Sequence, residues 1–157
     1  MTDWKTILVP TDFSEGSRAA LTMAGEIATR HGARVILLHV IDLPPGLDPG
    51  SMVRPEGSAV SIPLVDMARE QALAWMEKDR VTHLAKTEDV TVRVELGSPV
   101  VQTVLDVAQS VGADLIVVGT HGRTGLAHMV LGSVAEKIVR MADAPVLSVR
   151  RSRGSNA

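Results

Sequence analysis

The residues of this chain best suited to binding chemistry are three glycines and a serine in its last third. Gly119 and Gly122 precede a mostly apolar run, and Gly132 and Ser133 follow it. Glycine weakens any helix or strand that it interrupts, so this spacing indicates backbone that turns sharply or comes close to another group. A helix beginning near Ser133 would add free N–H groups and the positive end of its dipole. The pattern predicts a phosphate site held mainly by backbone.

The side chains around these glycines leave alternatives open. Ser133 and Glu136 match a capping box, in which Ser133 caps a helix and can also offer its hydroxyl to an anion. Arg123 either adds charge to the loop or is solvated, and His121 either contacts a phosphate or orders the loop by a hydrogen bond. The segment is neither a Walker A loop nor a dinucleotide fingerprint, because the required glycine and lysine spacings are missing. Glycines that only make turns remain an alternative.

Five short apolar runs can supply the framework that positions this loop. They are rich in Val, Ile and Leu and occupy residues 6–10, 34–41, 90–96, 114–120 and 145–150. Helical patterns separate them, running from a cap at Ser14 to about His31, over about 62–86, from a cap at Ser98 to Gly112, and from a cap at Ser133. This alternation predicts one α/β domain over residues 1–150, with 151–157 as a flexible basic tail. The expected fold is a doubly wound five-stranded parallel sheet, order 3-2-1-4-5, with helices on both faces.

Residues 43–61 interrupt the alternation. They are rich in proline and glycine, which predicts a long surface loop between the second strand and the second helix. A lid over the site and a tolerated insertion without function are both open.

The strand order predicts where a ligand would bind. In open doubly wound sheets, ligands bind beyond the carboxyl ends of the strands, where the strand order reverses. Here that point lies between the first strand, which ends near Asp12, and the fourth, which ends near Gly119. Asp12 and the glycine loop are therefore expected to face each other.

The glycine spacing resembles that of a known family. Gly119-x-x-Gly122, nine residues, then Gly132-Ser133 is similar to the G-2x-G-9x-G-(S/T) signature of the ATP-binding branch of the universal stress protein family. The resemblance extends along nearly the whole chain, through "ILVPTDFS", "HVID", "GSP" and "APVLSVR". It implies a fold like the one predicted above, with ATP or another adenine nucleotide in the crevice and dimers formed through the last strand.

The resemblance also implies roles for individual residues. Pro10, Thr11 and Asp12 would line the adenosine, with Asp12 near the ribose. Val40 would bind adenine through its backbone and side chain, and the glycine signature with Val134 would hold the ribose and phosphates. The predicted nucleotide site comprises Pro10, Thr11, Asp12, Val40, Val118, Gly119, His121, Gly122, Arg123, Gly132, Ser133 and Val134. Gly119→Val or Gly132→Val is expected to block binding and spare the fold.

The residue types and spacings do not favour a transition-metal site or a catalytic serine. The chain has no cysteine, and its five histidines form no pair at helical i, i+3 or i, i+4 spacing, so no transition-metal site is predicted. Any metal is expected to be Mg²⁺ or Mn²⁺ carried by the phosphates of the nucleotide. Neither Ser14 nor Ser133 lies in a G-x-S-x-G motif, and no catalytic residue is predicted.

Charge and hydropathy argue against two classes of partner, nucleic acids and membranes. The net charge is −2 with acids and bases well mixed, which argues against a nucleic-acid partner. No apolar run approaches the roughly 20 residues that span a bilayer, and the first residues do not resemble a secretion signal. A cytoplasmic protein without a membrane partner is expected. Residues 145–150 would form an edge strand, which predicts a homodimer by antiparallel pairing about a two-fold axis.

The leading hypothesis is therefore an ATP-binding universal stress protein that acts as a nucleotide-dependent regulator or sensor in the stress response. An unidentified protein partner would respond to its occupancy. Two alternatives remain: a slow ATP-hydrolysing enzyme and a nucleotide-free structural dimer.

Overall fold

A computed structural model describes residues 3–120 and 132–151 of the 157-residue chain. Strands and helices alternate along the described residues. The strands are β1 (Thr6–Pro10), β2 (Arg34–Ile41), β3 (Met52–Val53), β4 (Ile62–Pro63), β5 (Val90–Leu96), β6 (Leu115–Gly119) and β7 (Val146–Val149). The helices are α1 (Glu15–His31), α2 (Leu64–His83), α3 (Val100–Val111) and α4 (Ser133–Met141).

The larger sheet confirms the predicted fold class. In the described part of the chain it has five strands in the order β5-β2-β1-β6-β7, and all neighbours are parallel. With the short strands β3 and β4 set aside, this is the predicted order 3-2-1-4-5. Helices α1 and α2 pack on one face, and α3 and α4 pack on the other. The fold is a doubly wound α/β fold, as the alternation of elements predicted.

Strand β2 shows why the central strands are almost continuously apolar. Side chains alternate between the two faces of a strand. Val35 and Leu37 belong to the core under α1 and α2, whereas Ile36 and Leu38 belong to the core under α3 and α4. Because helices cover both faces, neither set of positions is left to solvent.

Helix α1 begins and ends where the sequence predicts. Ser14 is its N-cap, and the backbone N–H of Ser17 donates to Ser14 Oγ at 3.2 Å. Gly32 ends the helix in the left-handed conformation with φ 64°, which glycine adopts without a steric penalty.

The predicted caps of α3 and α4 are wrong by one residue. Pro99 and Gly132 occupy the N-cap positions in place of Ser98 and Ser133, and neither cap provides a side-chain hydrogen bond. At α4, the carbonyl of Gly132 already accepts the Glu136 backbone N–H at 2.9 Å, so Ser133 is the first helical residue. Serine is a common capping residue, which suggested these positions. In the structure the N-cap lies one residue later at α3 and one residue earlier at α4.

The segment from 43 to 61 is exposed for most of its length but is not wholly irregular. Strands β3 and β4 form an antiparallel pair, in which Met52 lies opposite Pro63 and Val53 opposite Ile62. Because residues 62 and 63 join this pair, α2 begins at Leu64, two residues later than predicted. None of the helices in residues 3–120 and 132–151 is long and apolar enough to cross a membrane.

Candidate functional site

A crevice of about 570 Å³ opens at the carboxyl ends of β1, β2 and β6. It lies where the strand order reverses, because β2 and β6 flank β1 on opposite sides. Residues of α1, α2, α3 and α4 complete its walls. Both the place and the size are typical of small-molecule sites in open α/β sheets.

The crevice gathers the predicted site residues that the structure describes. Nine of them line it: Pro10, Thr11, Asp12, Val40, Val118, Gly119, Gly132, Ser133 and Val134. The other predicted site residues, His121, Gly122 and Arg123, lie outside the described residues. Positions far apart in the sequence are thus brought into one cavity by the parallel sheet.

The turn from β1 into α1 holds Asp12 in a fixed position. Asp12 Oδ1 accepts the backbone N–H of Ser14 at 3.0 Å, and Thr11 Oγ1 accepts that of Phe13 at 3.1 Å. Thr11 Oγ1 also lies 3.1 Å from Ser17 Oγ. Phe13 has a φ of 65°, which costs a residue with a side chain on the order of 1–3 kcal/mol. The local hydrogen bonds offset this cost and keep the Asp12 carboxylate at the mouth of the crevice.

The tip of β1 is also tied to β2. The Thr11 backbone N–H donates to the Leu38 carbonyl at 2.8 Å. His39 Nδ1 lies 2.8 Å from the Thr11 carbonyl, and because a carbonyl can only accept, Nδ1 carries a proton in this contact. Both contacts limit the movement of the residues that precede Asp12.

Gly119 is required by a close approach of backbone to backbone. A Cβ atom at this position would lie 2.4 Å from the carbonyl carbon and oxygen of Gly16 and 2.8 Å from the nitrogen of Ser17. The end of β6 therefore packs directly against the first turn of α1. Because these are backbone atoms, they cannot move aside as a flexible side chain could. The expectation that Gly119→Val spares the fold is wrong.

Helix α4 begins at the crevice, and no side chain of residues 3–120 and 132–151 caps its N-terminus. The Gly132 N–H donates to the Thr120 carbonyl at 2.7 Å, which brings the chain back to the end of β6. Gly132 provides no side-chain cap, and Ser133 and Val134 are exposed at the crevice. The first N–H groups of a helix have no acceptor within the helix, and its dipole makes this end positive. An anion at this place would accept hydrogen bonds from these N–H groups and would be stabilised by the positive end of the dipole.

Apolar side chains form the wall next to this helix start. Val40 from β2, Val104 from α3, Val118 from β6 and Ile138 from α4 line the same cavity. All four are buried in the core under α3 and α4. An apolar wall beside an anion site suits a ligand with a flat ring at one end and phosphate at the other.

The comparison with known families gives one clear result. The model of the universal stress protein family matches residues 3–150. The chain belongs to the universal stress protein family. This assignment confirms the resemblance that the glycine spacing suggested.

Relatives of this universal stress protein share its full length. Universal stress protein MJ0577 of Methanocaldococcus jannaschii is 32% identical over 156 residues, which cover 94% of this chain and 96% of the relative. The solved structure of MJ0577 matches with a TM-score of 0.75 at 30% identity and covers 96% of this chain and 98% of that one. A universal stress protein solved in complex with cAMP has a TM-score of 0.69 at 25% identity, covering 95% and 98%.

The crevice of this universal stress protein is also lined by residues for which the sequence predicted no role in the site. Phe13, His39, Gln71 and Trp75 lie along its α1–α2 side. They come from a turn, a strand and a helix that are distant in sequence. Only the adjacency of Phe13 to Asp12, and of His39 to Val40, could have pointed to them. In the described residues, no group of three or more His, Asp or Glu side chains could hold a metal ion.

Proposed function

We propose that this universal stress protein binds ATP in the crevice and acts in the cytoplasm as a nucleotide-dependent regulator or sensor of the stress response. Occupancy of the crevice changes its affinity for a protein partner. The observation that carries the proposal is the meeting of Asp12, Val40 and the uncapped start of α4 in one cavity. A carboxylate, an apolar wall and an anion site match a ribose, a base and a phosphate chain.

The adenosine lies against the tips of β1 and β2. Val40 contacts the adenine with its side chain and its backbone, and Val118 adds apolar surface from β6. Pro10 and Thr11 line the adenosine beside them. The Asp12 carboxylate, whose Oδ1 accepts the Ser14 N–H, also accepts a ribose hydroxyl.

The phosphates lie at the start of α4. The N–H groups of Ser133 and Val134 and the Ser133 hydroxyl hold them, and His121, Gly122 and Arg123 act as further contacts. Mg²⁺ or Mn²⁺ arrives with the nucleotide, because Mg²⁺ commonly binds through phosphates and waters with few protein ligands. When bound, the metal neutralises phosphate charge, which leaves the protein to position the nucleotide.

The relatives support adenine nucleotide chemistry. A universal stress protein of the same fold, 25% identical to this chain, has been solved in complex with cAMP. A base, a ribose and a phosphate are common to that ligand and to ATP. The proposal of ATP in this chain goes further and depends on the α4 N-terminus as the place for a phosphate chain.

Mass spectrometry of the nucleotide released from freshly purified, acid-quenched protein tests the proposal directly. A thermal shift with added ATP and Mg²⁺ accompanies it, because a ligand that binds only the folded state must stabilise it. We expect a co-purifying adenine nucleotide or a clear rise in Tm. The absence of both with ATP, ADP, AMP and cyclic nucleotides would contradict the proposal and favour a nucleotide-free dimer.

Asp12→Asn tests the ribose contact without removing the turn. The amide oxygen can still accept the Ser14 N–H, but the NH₂ group that replaces the second oxygen can only donate. We expect ATP affinity to fall about tenfold, the usual size of a lost hydrogen bond to a charged group. Titration calorimetry measures the affinity, and an unchanged Tm without nucleotide shows that the turn is intact.

We further propose that the protein forms a homodimer through β7. This strand ends the sheet; the carbonyl of Pro145, just before it, accepts the Ile116 N–H, and the carbonyl of Val149 accepts the Thr120 N–H. The backbone N–H and carbonyl groups of successive residues in a strand point to alternate sides. The N–H and carbonyl groups of residues 146 and 148 therefore point away from β6, where a second copy can pair with them. Ser148→Pro removes one of these N–H groups. We expect a dimer that becomes monomeric in this variant by sedimentation velocity, and a monomeric parent protein would refute the proposal.

A further inference from the structure

The crevice has two halves on opposite faces of the sheet. One half, against α3 and α4, contains Val40 and the start of α4, where the proposed function places ATP. The other, against α1 and α2, is lined by Phe13, His39 and Trp75. His39 and Val40 are neighbours on β2, so their side chains point to opposite faces. A mononucleotide held against Val40 therefore leaves the α1–α2 half to another group.

The α1–α2 half is built from aromatic rings. The ring centroids of Phe13 and His39 are 4.6 Å apart, and those of Phe13 and Trp75 are 5.0 Å apart in an edge-to-face contact. The whole sequence has one phenylalanine, two tryptophans and no tyrosine. The buried members of both core clusters in the described residues are Ala, Val, Leu, Ile and Met. The rings are not among the fully buried residues; Phe13 packs against the core under α1 and α2, and all three rings line the crevice.

Trp75 is accessible to a ligand. The core-facing positions of α2 on either side are covered, with Ala72 3% exposed and Met76 fully buried, whereas Trp75 is 45% exposed and lines the crevice. Gln71, one turn earlier in α2, lines the same half. An indole face beside an amide can cover a flat ring and hydrogen-bond to its edge.

We propose that the α1–α2 half is a second subsite, for a planar base joined through a phosphate chain to the nucleotide in the other half. The ligand class is a dinucleoside polyphosphate. The start of α4, in the first half, is tied to the end of β6 because the Gly132 N–H donates to the Thr120 carbonyl, so a phosphate chain held there lies next to the strand tips that separate the two halves. This inference rests on the proposed function, because the first base must occupy the Val40 half.

The test compares ATP with diadenosine tetraphosphate. In a Trp4→Phe variant, Trp75 is the sole indole, and its fluorescence reports on the second subsite alone. We expect diadenosine tetraphosphate to change this fluorescence and to bind about tenfold or more tightly than ATP, as one further stacked base should give. ATP should leave the fluorescence unchanged.

Four results would overturn the second subsite, and one of them would refute the proposed function as well. Equal affinities for ATP and diadenosine tetraphosphate, with no change in Trp75 fluorescence, would refute the second subsite but leave the ATP site supported. If neither ligand binds, the proposed function is refuted as well. A Trp75 response to ATP itself would assign the aromatic half to the mononucleotide. Adenosine added to ATP-saturated protein tests whether the aromatic half binds a base that is not joined to the nucleotide. If adenosine changes the Trp75 fluorescence but diadenosine tetraphosphate binds no more tightly than ATP, the dinucleoside polyphosphate class is excluded.

Two variants distinguish the loss of a ligand contact in the α1–α2 half from a general effect on the fold. Trp75→Ala should reduce the affinity for diadenosine tetraphosphate to that for ATP, and Gln71→Trp should do the same by filling the half. The matched control is Leu73→Ala, an exposed position on the same helix that does not line the crevice. It should leave both affinities unchanged, and an equal loss in Leu73→Ala would show a general effect on α2.

Discussion

Helices α1 and α4 both begin at the crevice, and their first turns are built in opposite ways. At α1, Ser14 Oγ accepts the Ser17 N–H, and Glu15 places a negative charge in the first turn. At α4, Gly132 has no side chain to offer and Ser133 is exposed. At α1, a side chain of the helix start itself accepts a first-turn N–H, whereas no side chain of the described residues caps α4, where we propose that a ligand accepts the N–H groups. A side-chain cap takes up one of the N–H groups that an anion could otherwise bind.

Gly119→Ala should have the largest effect, because Gly119 is where β6 touches the α1 terminus. Its Cβ would meet the Gly16 backbone at 2.4 Å, so either β6 or α1 must move. We expect a loss of at least about 2 kcal/mol in the free energy of unfolding, measured in urea. Gly50→Ala is the control, since a Cβ there meets nothing within 4 Å. Equal stabilities of the two variants would show that the two elements are not in tight contact.

Gly132→Asp should convert the α4 terminus into one like that of α1. The φ of −54° at Gly132 accepts any residue, and an aspartate at the N-cap can bind the free N–H groups itself. We expect ATP affinity to fall about tenfold or more while the protein without nucleotide gains roughly 0.3 kcal/mol of stability. Calorimetry and urea unfolding measure the two effects.

Gly132→Ala is the matched control for that change, because it adds a Cβ without a carboxylate. A similar loss of affinity in both variants would point to steric blocking, as Gly132→Val was expected to produce. Full affinity in the aspartate variant would rule out the α4 terminus as the phosphate site.

Ser14→Ala makes the opposite change at α1. Removal of the cap should lower the free energy of unfolding by about 1 kcal/mol, since the Ser17 N–H loses its acceptor. Ser14→Asp keeps an acceptor and should stay close to the parent protein. If the alanine variant were as stable as the aspartate variant, the cap would contribute nothing measurable.

Glu15→Gln should give the smallest effect in the series. It removes the negative charge at the start of α1 and the ion pair with Arg151, both exposed. We expect a loss of roughly 0.3–1 kcal/mol that shrinks in high salt. Glu26→Gln, exposed in the later part of the same helix, should change stability less, and an equal change would argue against a helix-dipole effect.

The framework could be predicted because its signals are local. The continuous apolar runs located the main strands to within a residue at each end, and Ser14 and Gly32 marked the limits of α1. These signals act through the backbone of the residues that carry them. The starts of α3 and α4 were misplaced by one residue, because Ser98 and Ser133 are good capping residues that the chain path does not use as caps.

The candidate site was predicted where its residues follow a strand or form a motif. Asp12, Val40 and the Gly132–Ser133 pair meet in the crevice as expected, while the loop positions from His121 to Arg123 lie outside the described residues. The aromatic half was not predicted. Phe13, His39 and Trp75 have no characteristic spacing, and only the packing of α2 against the sheet brings their rings together.

The sequence by itself determined the alternation of strands and helices, the strand order and the edge at which a ligand would bind, because hydrophobic periodicity and parallel crossovers leave few arrangements. The tertiary structure decided what the glycines do. Gly119 lets two backbones touch, and Gly132 leaves a helix start without a cap. A glycine looks the same in any sequence, and its role depends on the atoms that fold against the missing side chain.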